Sequence, residues 1–312
     1  MKNKTISVIV PCYNEEGSIE ELYSRLQKVI TSSGYNHEII FVDNQSTDRS
    51  RDILRDLSKK DSSLMAIFFS RNFGHSQYGF TAGSEYAKGD AIVWIDADLQ
   101  DPPEVIETFI KKWEEGHDVV YGIRKKRRGS LFLQVSYKLF YRLFKKFSYL
   151  DIPLDAGDFS LMDRKVIEVI NAMPERDRYV RGLRTWAGFK SIGVSYVRED
   201  RHRGETSNNL KKNIWWAKKA VFSFSYAPLE FIFYFSLMLF ILTIIAIFVY
   251  LVSYFFAPGP RGFTTLLLVV LFLGSSQLLA LSVIAEYIGR IFEEVKRRPK
   301  YIIEEILNGQ KE

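Results

Sequence analysis

Short apolar runs alternate with amphipathic segments along the first 121 residues of the chain. The runs predict buried strands, and the segments, whose apolar residues recur every three to four positions, predict helices. Strands that alternate with helices form right-handed βαβ units, so the pattern predicts an α/β fold with a parallel sheet covered on both faces. The predicted strands are 5–10, 37–42, 64–69, the run from 91 and 118–121, and the predicted helices are 18–32, a segment after 48, 76–87 and 103–115.

The fourth apolar run ends in two carboxylates, Asp96 and Asp98, and Pro102 and Pro103 then open a helix. Alternation along a strand predicts that both carboxylates lie on one side, with Ala97 turned away. Open α/β sheets bind ligands at the carboxyl ends of their strands. Paired hard oxygen ligands suit Mg²⁺ or Mn²⁺ held jointly with substrate phosphates. Asp residues that merely cap the next helix are the alternative.

Each predicted strand leads into a polar loop, and in a parallel sheet these loops share one edge. Ordinary roles as turn residues or helix caps would explain the polar residues of any single loop. They explain less well why so many polar residues converge on one edge of the sheet. The first strand is not followed by Gly-x-Gly-x-x-Gly, and no Gly-x-x-x-x-Gly-Lys occurs, which argues against dinucleotide-binding and P-loop folds. The polar residues at this edge are Asn14, Glu16, Asp43, Arg71, Asn72, Asp96 and Asp98.

Two basic, aromatic segments follow the α/β part. Residues 124–129 are almost entirely Lys and Arg, and the helical pattern over 131–149 contains no acidic residue. A second helical pattern, over 211–226, carries adjacent tryptophans. Basic aromatic helices are typical of segments that lie on an anionic membrane, while nucleic acid or a solvated face are the alternatives. Between these segments, 155–163 predicts a loop that leads into a short strand, and 191–197 predicts a further strand.

Two long stretches without charge, 231–256 and 263–285, exceed the roughly 20 residues that cross a bilayer. They predict a transmembrane hairpin, with a buried soluble hairpin as the alternative. Lysines and arginines flank the pair on both outer sides, whereas the connecting loop carries only Arg261. The positive-inside rule therefore predicts that both termini lie in the cytoplasm. The hairpin argues against a nucleic-acid partner.

Composition changes this picture little. The chain has 312 residues, enough for one or two domains, and its net charge of +6 suits a membrane surface or phosphates. A single cysteine, Cys12, excludes an internal disulfide and a cysteine zinc cluster. The basic N-terminal residues run directly into a predicted strand, so we expect no signal peptide.

Four motifs occur in order along the chain: Val10-Pro11-Cys12-Tyr13-Asn14-Glu15-Glu16, Val42-Asp43-Asn44-Gln45-Ser46-Thr47-Asp48, Ser70-Arg71-Asn72-Phe73-Gly74 and Asp96-Ala97-Asp98-Leu99-Gln100-Asp101-Pro102-Pro103. Together they resemble family 2 inverting glycosyltransferases of the GT-A fold, most closely the polyprenyl-phosphate glycosyltransferases such as dolichol-phosphate mannose synthase and bacterial bactoprenol glucosyltransferases. The resemblance continues through Gly157-Asp158-Phe159, Met162-Asp163-Arg164, the two spans and Glu286-Tyr287-Ile288-Gly289-Arg290.

The resemblance implies a role for each matching position. The nucleotide would be held by Pro11, Tyr13, Asn14, Glu16 and Asp43, with Arg71 and Asn72 near the same pocket. The metal, Mg²⁺ or Mn²⁺, would be held by Asp96, Asp98 and Gln100. The catalytic residues would be Asp158, at the position of an active-site carboxylate in this family, together with Asp96 and Asp98. The lipid phosphate would be received by Arg124, Arg128, Arg201 and Arg203.

Two departures from the family pattern concern binding loops. Asp43-Asn44-Gln45-Ser46 stands where many relatives have Asp-Asp-Gly-Ser. Gly204-Glu205-Thr206-Ser207 stands where relatives often have Gly-x-Ser/Thr-Lys, so the lysine of that motif is missing. Lys211 or Lys212 is a hypothetical substitute for it.

The implied reaction is inverting transfer of a hexose from a nucleotide sugar, UDP-glucose or UDP-N-acetylglucosamine, to undecaprenyl phosphate at the cytoplasmic face of the bacterial inner membrane. The product would supply sugar for cell-surface glycan modification. Alternatives are a GDP-mannose-dependent synthase of the dolichol-phosphate-mannose type, a processive polysaccharide synthase and a non-catalytic membrane scaffold. The processive enzyme would need more spans and a Gln-x-x-Arg-Trp motif, which Arg184-Thr185-Trp186 does not match.

Because the family includes tetramers, the resemblance also implies that a membrane homo-oligomer is possible. The predicted organisation of the chain has four parts. The parts are a nucleotide-sugar-binding core of GT-A fold (1–122), an acceptor-binding part with interfacial amphipathic helices (123–228), two transmembrane helices (229–287) and a cytoplasmic C-terminal tail (288–312).

Overall fold

The structure is a computed structural model that describes residues 4–124, 156–176, 178–198, 227–256 and 262–309. The predicted interfacial helices at 131–149 and 211–226 lie outside these residues, as do Arg128, Arg201 and Arg203. The strands are β1 Thr5–Cys12, β2 Asn36–Asp43, β3 Leu64–Phe69, β4 Ala91–Trp94, β5 Val119–Arg124, β6 Ala156–Asp163, β7 Ser191–Tyr196 and β8 Ile303–Leu307. The helices are α1 Ile19–Ser33, α2 Ser50–Lys60, α3 Ser76–Tyr86, α4 Val105–Glu114, α5 Arg164–Ala172, α6 Val180–Trp186, α7 Ala227–Phe256 and α8 Phe263–Val295.

One mixed sheet organises the α/β part, with strand order β7-β5-β6-β4-β1-β2-β3-β8. The four N-terminal strands are parallel to one another, as the alternating pattern predicts. β6 inserts antiparallel between β4 and β5, and β8 pairs antiparallel with β3 at the opposite edge. The predicted parallel-rich α/β sheet is therefore confirmed, and the antiparallel strands are additions to it.

Helices cover both faces of the sheet, so the central strands are buried on both sides. Val8 and Val10 of β1 point to the face covered by α1, α2 and α4, and Ile9 points to the face covered by α3 and α5. Such strands lack polar alternation because neither face meets water. This burial explains why the bounds predicted from the apolar runs agree within two residues with those of β1, β2, β3 and the start of β4.

The strand β6 and the helices that follow it were harder to anticipate. The sequence predicts a loop over 155–163 that leads into a short strand, whereas the strand β6 itself occupies Ala156 to Asp163, with its side chains buried up to the last residue. Its neighbours on both sides are antiparallel strands. A buried aspartate, Asp158, within this strand hides its hydrophobic pattern.

Helix α3 approaches β1 unusually closely through two glycines one turn apart. A Cβ atom built on Gly83 would lie 2.3 Å from Ile9 Cγ2, and one on Gly79 would lie 2.7 Å from Pro11 Cβ. Both are shorter than van der Waals contact, so side chains at these positions would push the helix away from the strand. The small residues of α3 thus hold it against the strand whose end carries the candidate site.

We expect Gly83→Ala to destabilise the protein by about 1–3 kcal/mol, because an extra methyl group in a filled core forces side chains and backbone to shift. Thermal or denaturant unfolding of the wild type and of Gly83→Ala measures this cost. Ile9→Ala removes the atom that the new methyl group meets. The double variant should therefore lose less than the sum of the single changes. Additive losses would contradict this packing.

Helices α7 and α8 are long, apolar and exposed. Their segments Pro228–Ala246 and Val269–Val295 are long and apolar enough to cross a membrane, and these windows have none of their residues buried. Large apolar side chains such as Phe231 and Phe240 are about 60% exposed. Surfaces of this kind mark a site of contact with lipid or another apolar partner. α8 extends to Val295, ten residues beyond the predicted end at 285.

The residues after α8 return to the sheet. β8 pairs with β3, with Ile306 opposite Ile67 and Ile303 opposite Phe69. The predicted C-terminal tail, 288–312, thus contains a strand, residues 303–307, that forms one edge of the sheet. Asn308 secures the far end of this strand by donating to the backbone carbonyls of Ser58 and Leu64 at 2.7 and 2.9 Å.

Candidate active site

A cavity of about 310 Å³ lies where the carboxyl ends of β1, β2 and β4 meet. It is the place predicted for a ligand in a sheet of this kind. Its lining joins the loops after three strands with the start of α3. The lining residues are Pro11, Cys12, Tyr13, Glu15, Asn44, Gly74, His75, Ser76, Gly79, Asp96, Ala97 and Asp98.

The loops after β1 and β2 are locked together by Asn14. Its backbone N–H donates to Ser46 Oγ at 2.9 Å, and its side-chain Oδ1 accepts the backbone N–H of Thr47 at 2.8 Å. Asn14 has a φ of 55°, in the left-handed region that asparagine tolerates better than most residues. Glu16 adds a contact by accepting the N–H of Arg49 at 3.0 Å. Asn14 and Glu16 therefore hold the two loops together, and the exposed Tyr13 lines the cavity.

Asp43 ends β2 directly beside the cavity, since its register partner Cys12 and the next residue Asn44 both line it. Its side chain is fully buried, and both carboxylate oxygens accept the backbone N–H of Ser46, at 3.2 and 3.1 Å. Burial raises the pKa of Asp43, while the hydrogen bonds from Ser46 and the charge of Arg51 oppose the rise.

The loops after β2 and β3 meet through two asparagines. Asn44 donates to Asn72 Oδ1 at 3.1 Å and accepts the backbone N–H of Phe73 at 2.8 Å. Arg71 stacks its guanidinium over the Phe73 ring at 4.1 Å. Asn72 thus links the loop after β3, which also carries Arg71, to the loop after β2.

The carboxylates Asp96 and Asp98 both line the cavity, as predicted, but they do so from a turn. β4 ends at Trp94, so strand alternation does not place them on one side. The turn instead reverses at Leu99, which has a φ of 56°. Gln100 donates its backbone N–H to Asp98 Oδ1 at 3.2 Å and so holds one of the two carboxylates.

Negative charge is concentrated at this turn. Desolvation and the neighbouring charges of Asp98, Asp158 and Asp101 raise the pKa of Asp96 to about 8, against the influence of Arg124. Among the described residues no group of three or more His, Cys, Asp or Glu side chains has the geometry of a complete metal site. Two carboxylates that share a cavity nevertheless fit Mg²⁺ or Mn²⁺, which commonly take one or two protein carboxylates together with substrate phosphates. A cation there would also relieve the repulsion between these carboxylates.

Asp158, from the middle of the sheet, forms a bidentate pair with an arginine of α6. Arg181 Nε lies 2.7 Å from Asp158 Oδ1, and its Nη2 lies 3.1 Å from Oδ2. Burial opposes ionisation of this carboxyl, but Arg181, Arg184 and Arg124 lower its pKa below the usual value. Arg184 donates to the backbone carbonyl of Gly157 at 3.3 Å. Asp158 is therefore an ionised, oriented carboxylate.

A second acidic centre, Asp101, collects the remaining basic groups. Tyr196 donates its hydroxyl to Asp101, Arg124 Nη2 lies 3.4 Å from Asp101 Oδ2, and Arg198 Nε lies 3.3 Å from Oδ1. Arg198 also lies 3.9 Å from Asp98 Oδ2. Arg124, predicted to receive a lipid phosphate, is thus held next to the carboxylate turn, with part of its side chain accessible.

Five residues of this site were not predicted from the sequence: Arg181, Arg184, Arg198, Asp101 and Tyr196. A signal for the first two exists, since arginines recur every three residues at 178, 181 and 184. Arg178 of this series is buried and donates to the backbone carbonyls of Ile170 and Met173, which terminates α5. The spacing alone does not separate this supporting arginine from the two at the site.

Comparison with known proteins places the chain among glycosyltransferases. The family model described as glycosyl transferase family 2 matches residues 7–170, just over half of the chain. A glycosyltransferase of Bacillus subtilis, YkcC, is 44% identical over 300 residues, covering 96% of this chain and 93% of its own length. The prophage bactoprenol glucosyl transferase homolog of Escherichia coli is 38% identical over 304 residues, covering 96% and 99%.

Among solved structures, glucosyl-3-phosphoglycerate synthase of Mycobacterium tuberculosis, in complex with Mn²⁺, UDP and phosphoglyceric acid, is 19% identical. The match covers 70% of this chain and 76% of that one, with a TM-score of 0.46. The family match and the near full-length relatives, which confirm the resemblance drawn from the motifs, show that this chain belongs to glycosyl transferase family 2.

Proposed function

We propose that this glycosyltransferase moves a hexose from a nucleotide sugar to a polyprenyl phosphate at the cytoplasmic face of a bacterial membrane. The observation that carries the proposal is the shared cavity, in which the Asp96–Asp98 turn faces the loops after β1 and β2. Relatives named bactoprenol glucosyl transferase, 38% identical over nearly the whole chain, support a polyprenyl phosphate as the acceptor. The two exposed apolar helices support a reaction at the bilayer.

The donor side of the cavity suits a nucleoside diphosphate sugar. Pro11, Tyr13, Asn14, Glu16 and Asp43 are the proposed contacts of base and ribose, with Arg71 and Asn72 beside them. Asp96 and Asp98, with Gln100, would hold a divalent cation on the diphosphate. When bound, that cation supplies positive charge that stabilises the leaving diphosphate. The two carboxylates and the cavity around them fit this use.

The acceptor needs orientation more than activation. A phosphate monoester has a second pKa of about 6 and is largely a dianion near neutral pH, so its oxygen is already nucleophilic. Guanidinium groups bind phosphate through paired hydrogen bonds. The proposed phosphate ligands are Arg124, Arg128, Arg201 and Arg203. The basic flanks of the two apolar helices support cytoplasmic termini and a catalytic part on the same side.

The chemistry proposed is a single displacement. An acceptor phosphate oxygen forms a bond to the anomeric carbon as the bond to the nucleoside diphosphate breaks on the opposite face. The configuration therefore inverts. Asp158, kept ionised by Arg181, lies near the Asp96 turn and would stabilise the positive charge that develops at the anomeric carbon.

Purified full-length protein, Mg²⁺ or Mn²⁺ and undecaprenyl phosphate in detergent, incubated with radiolabelled UDP-glucose, UDP-N-acetylglucosamine, UDP-galactose or GDP-mannose, tests this proposal. We expect one donor to give a labelled lipid with a β-linked sugar from the α-linked donor. EDTA should abolish the product, because the diphosphate loses its neutralising cation. A product from GDP-mannose alone would show that the donor is GDP-mannose and not a UDP sugar. An α-linked product would rule out single displacement. Absence of labelled lipid from every donor would overturn the acceptor assignment.

A further inference from the structure

Arg51 of α2 bridges the candidate donor site and the C-terminal strand. Its Nε lies 3.6 Å from Asp43 Oδ2, and its Nη2 lies 2.7 Å from Glu304 Oε2. The side chain is 19% exposed, and its Nε is buried without a hydrogen-bond partner. The guanidinium also lies over the Phe68 ring, at 5.0 Å from its centroid. Arg51 is therefore held in place by its contacts with Phe68 and Glu304 while it faces a fully buried carboxylate.

The groups around Asp43 leave Arg51 as its main source of positive charge. Both carboxylate oxygens accept the same backbone N–H of Ser46. This N–H group fixes the position of the carboxylate, but it is uncharged and so does not neutralise it. From β1, the facing titratable group is Cys12, whose pKa is raised well above its usual value by burial and then by Asp43. From β3, the register partner is the apolar Phe68. From α2, the facing charged group is Arg51.

The next turn of α2 offers a matched comparison. Arg55 lies over the same Phe68 ring, at 4.9 Å, and pairs with the adjacent glutamate of β8, Glu305, at 2.8 Å. Its second carboxylate partner is the exposed Asp52 on its own helix, at 3.8 Å. Arg51 and Arg55 therefore both attach β8 to α2, but Arg51 is the one that also contacts a buried aspartate at the cavity.

We infer that Arg51, held by Glu304 of the C-terminal strand, is a positioning residue that keeps Asp43 fixed and ionised for the nucleotide base. This inference rests on the proposed function, in which Asp43 contacts the base. An ionised carboxylate accepts hydrogen bonds and donates none. It therefore favours a base edge that presents a ring N–H, as uracil does. The strand after the second long helix thereby becomes part of the donor site.

The inference is tested on the full chain in detergent by measuring UDP binding with Mg²⁺ present. We expect Arg51→Met to weaken UDP binding by about tenfold or more, because a buried charge loses its partner, and Arg55→Met to change it less than about twofold. Glu304→Gln should weaken binding by about two- to fivefold, since its pair is half-exposed, whereas Glu305→Gln should leave it unchanged. Arg51→Lys should restore part of the affinity.

A pH series separates positioning from a general structural role. Without the charge of Arg51, the pKa of Asp43 rises further, so a larger share of the carboxyl is protonated at low pH. The deficit of Arg51→Met should therefore be largest at acidic pH and shrink as the pH rises, whereas loss of packing would give a deficit independent of pH.

Equal losses in Arg51→Met and Arg55→Met, or a deficit independent of pH, would overturn the inference. Wild-type protein that fails to bind UDP would overturn it together with the donor site as proposed. Because UDP binding needs no acceptor lipid, wild-type protein that binds UDP but forms no glycolipid would count against the proposed function alone. The comparison of the two arginines would still decide the role of Arg51.

Discussion

Replacing Asp98 by Asn is expected to lower the rate of sugar transfer by about 10²-fold or more, because loss of one charge-stabilising group at a reacting centre costs about that much. The asparagine keeps the size of the side chain, and its Oδ1 can still accept the N–H of Gln100, which Asp98 accepts at 3.2 Å. The turn should therefore persist while a metal-binding carboxylate is lost. Initial rates at saturating nucleotide sugar, over a series of Mg²⁺ or Mn²⁺ concentrations, measure the effect.

Asp90→Asn is the matched control for Asp98→Asn. Asp90 lies just before the other end of β4, is exposed, and accepts the backbone N–H of Thr5 at 2.8 Å. Its loss should change the transfer rate by less than about twofold, as for most surface substitutions. Metal titration of UDP binding gives a readout independent of turnover, and Asp98→Asn should need a higher metal concentration. An Asp98→Asn variant with a normal rate and a normal metal response would contradict the assignment of Asp98 to the metal.

The parallel half of the fold was predictable because its strands are buried on both faces. β3 contains apolar residues from Leu64 to Phe69, so its bounds follow from the sequence alone. β8 was not predictable in the same way. Its five residues, Ile303–Leu307, include two adjacent glutamates, and its partner strand lies more than 230 residues earlier in the chain. The sequence marks such an edge strand as polar, and its place depends on tertiary contacts.

The candidate site shows the same division. Convergence of Asp43, Asp96 and Asp98 follows from the topology of parallel strands, because their carboxyl ends share an edge. Strand alternation nevertheless does not place Asp96 and Asp98 as predicted, since β4 ends at Trp94 before it reaches them. Ion pairs such as that of Asp158 with Arg181 join residues from β6 and α6, and a single sequence carries no pattern for such a contact.

Replacing Arg181 by Met is expected to destabilise the protein by about 3 kcal/mol at neutral pH, because it leaves a buried carboxylate without its bidentate partner. Asp158 is 11% exposed and Arg181 28%, so the pair is largely shielded from water. For a protein of this size such a loss lowers the unfolding midpoint by several degrees, at about 2–4 °C per kcal/mol. Sugar transfer should fall as well, because Asp158 would no longer be held in one orientation.

The pH dependence of this loss follows from the pKa of Asp158. In the native protein that pKa is lowered, so its stabilising contribution is present above the unfolded-state value of about 3.9 and is lost as the pH falls through the folded value. In Arg181→Met the burial that remains raises the pKa, and the cost of ionising the carboxyl grows with pH. The stability gap between the two proteins should therefore be smaller at pH 4 than at pH 7 and should narrow further as the pH falls below 4.

The double variant Asp158→Asn/Arg181→Met separates stability from catalysis. It removes the buried charge together with its partner, and such replacements are often neutral for stability. We expect its unfolding midpoint to recover most of the loss of Arg181→Met, while sugar transfer stays as low as in Asp158→Asn. Recovery of both stability and transfer would show that Asp158 serves the fold alone. No recovery of stability would show that Arg181 stabilises α6 through contacts other than Asp158.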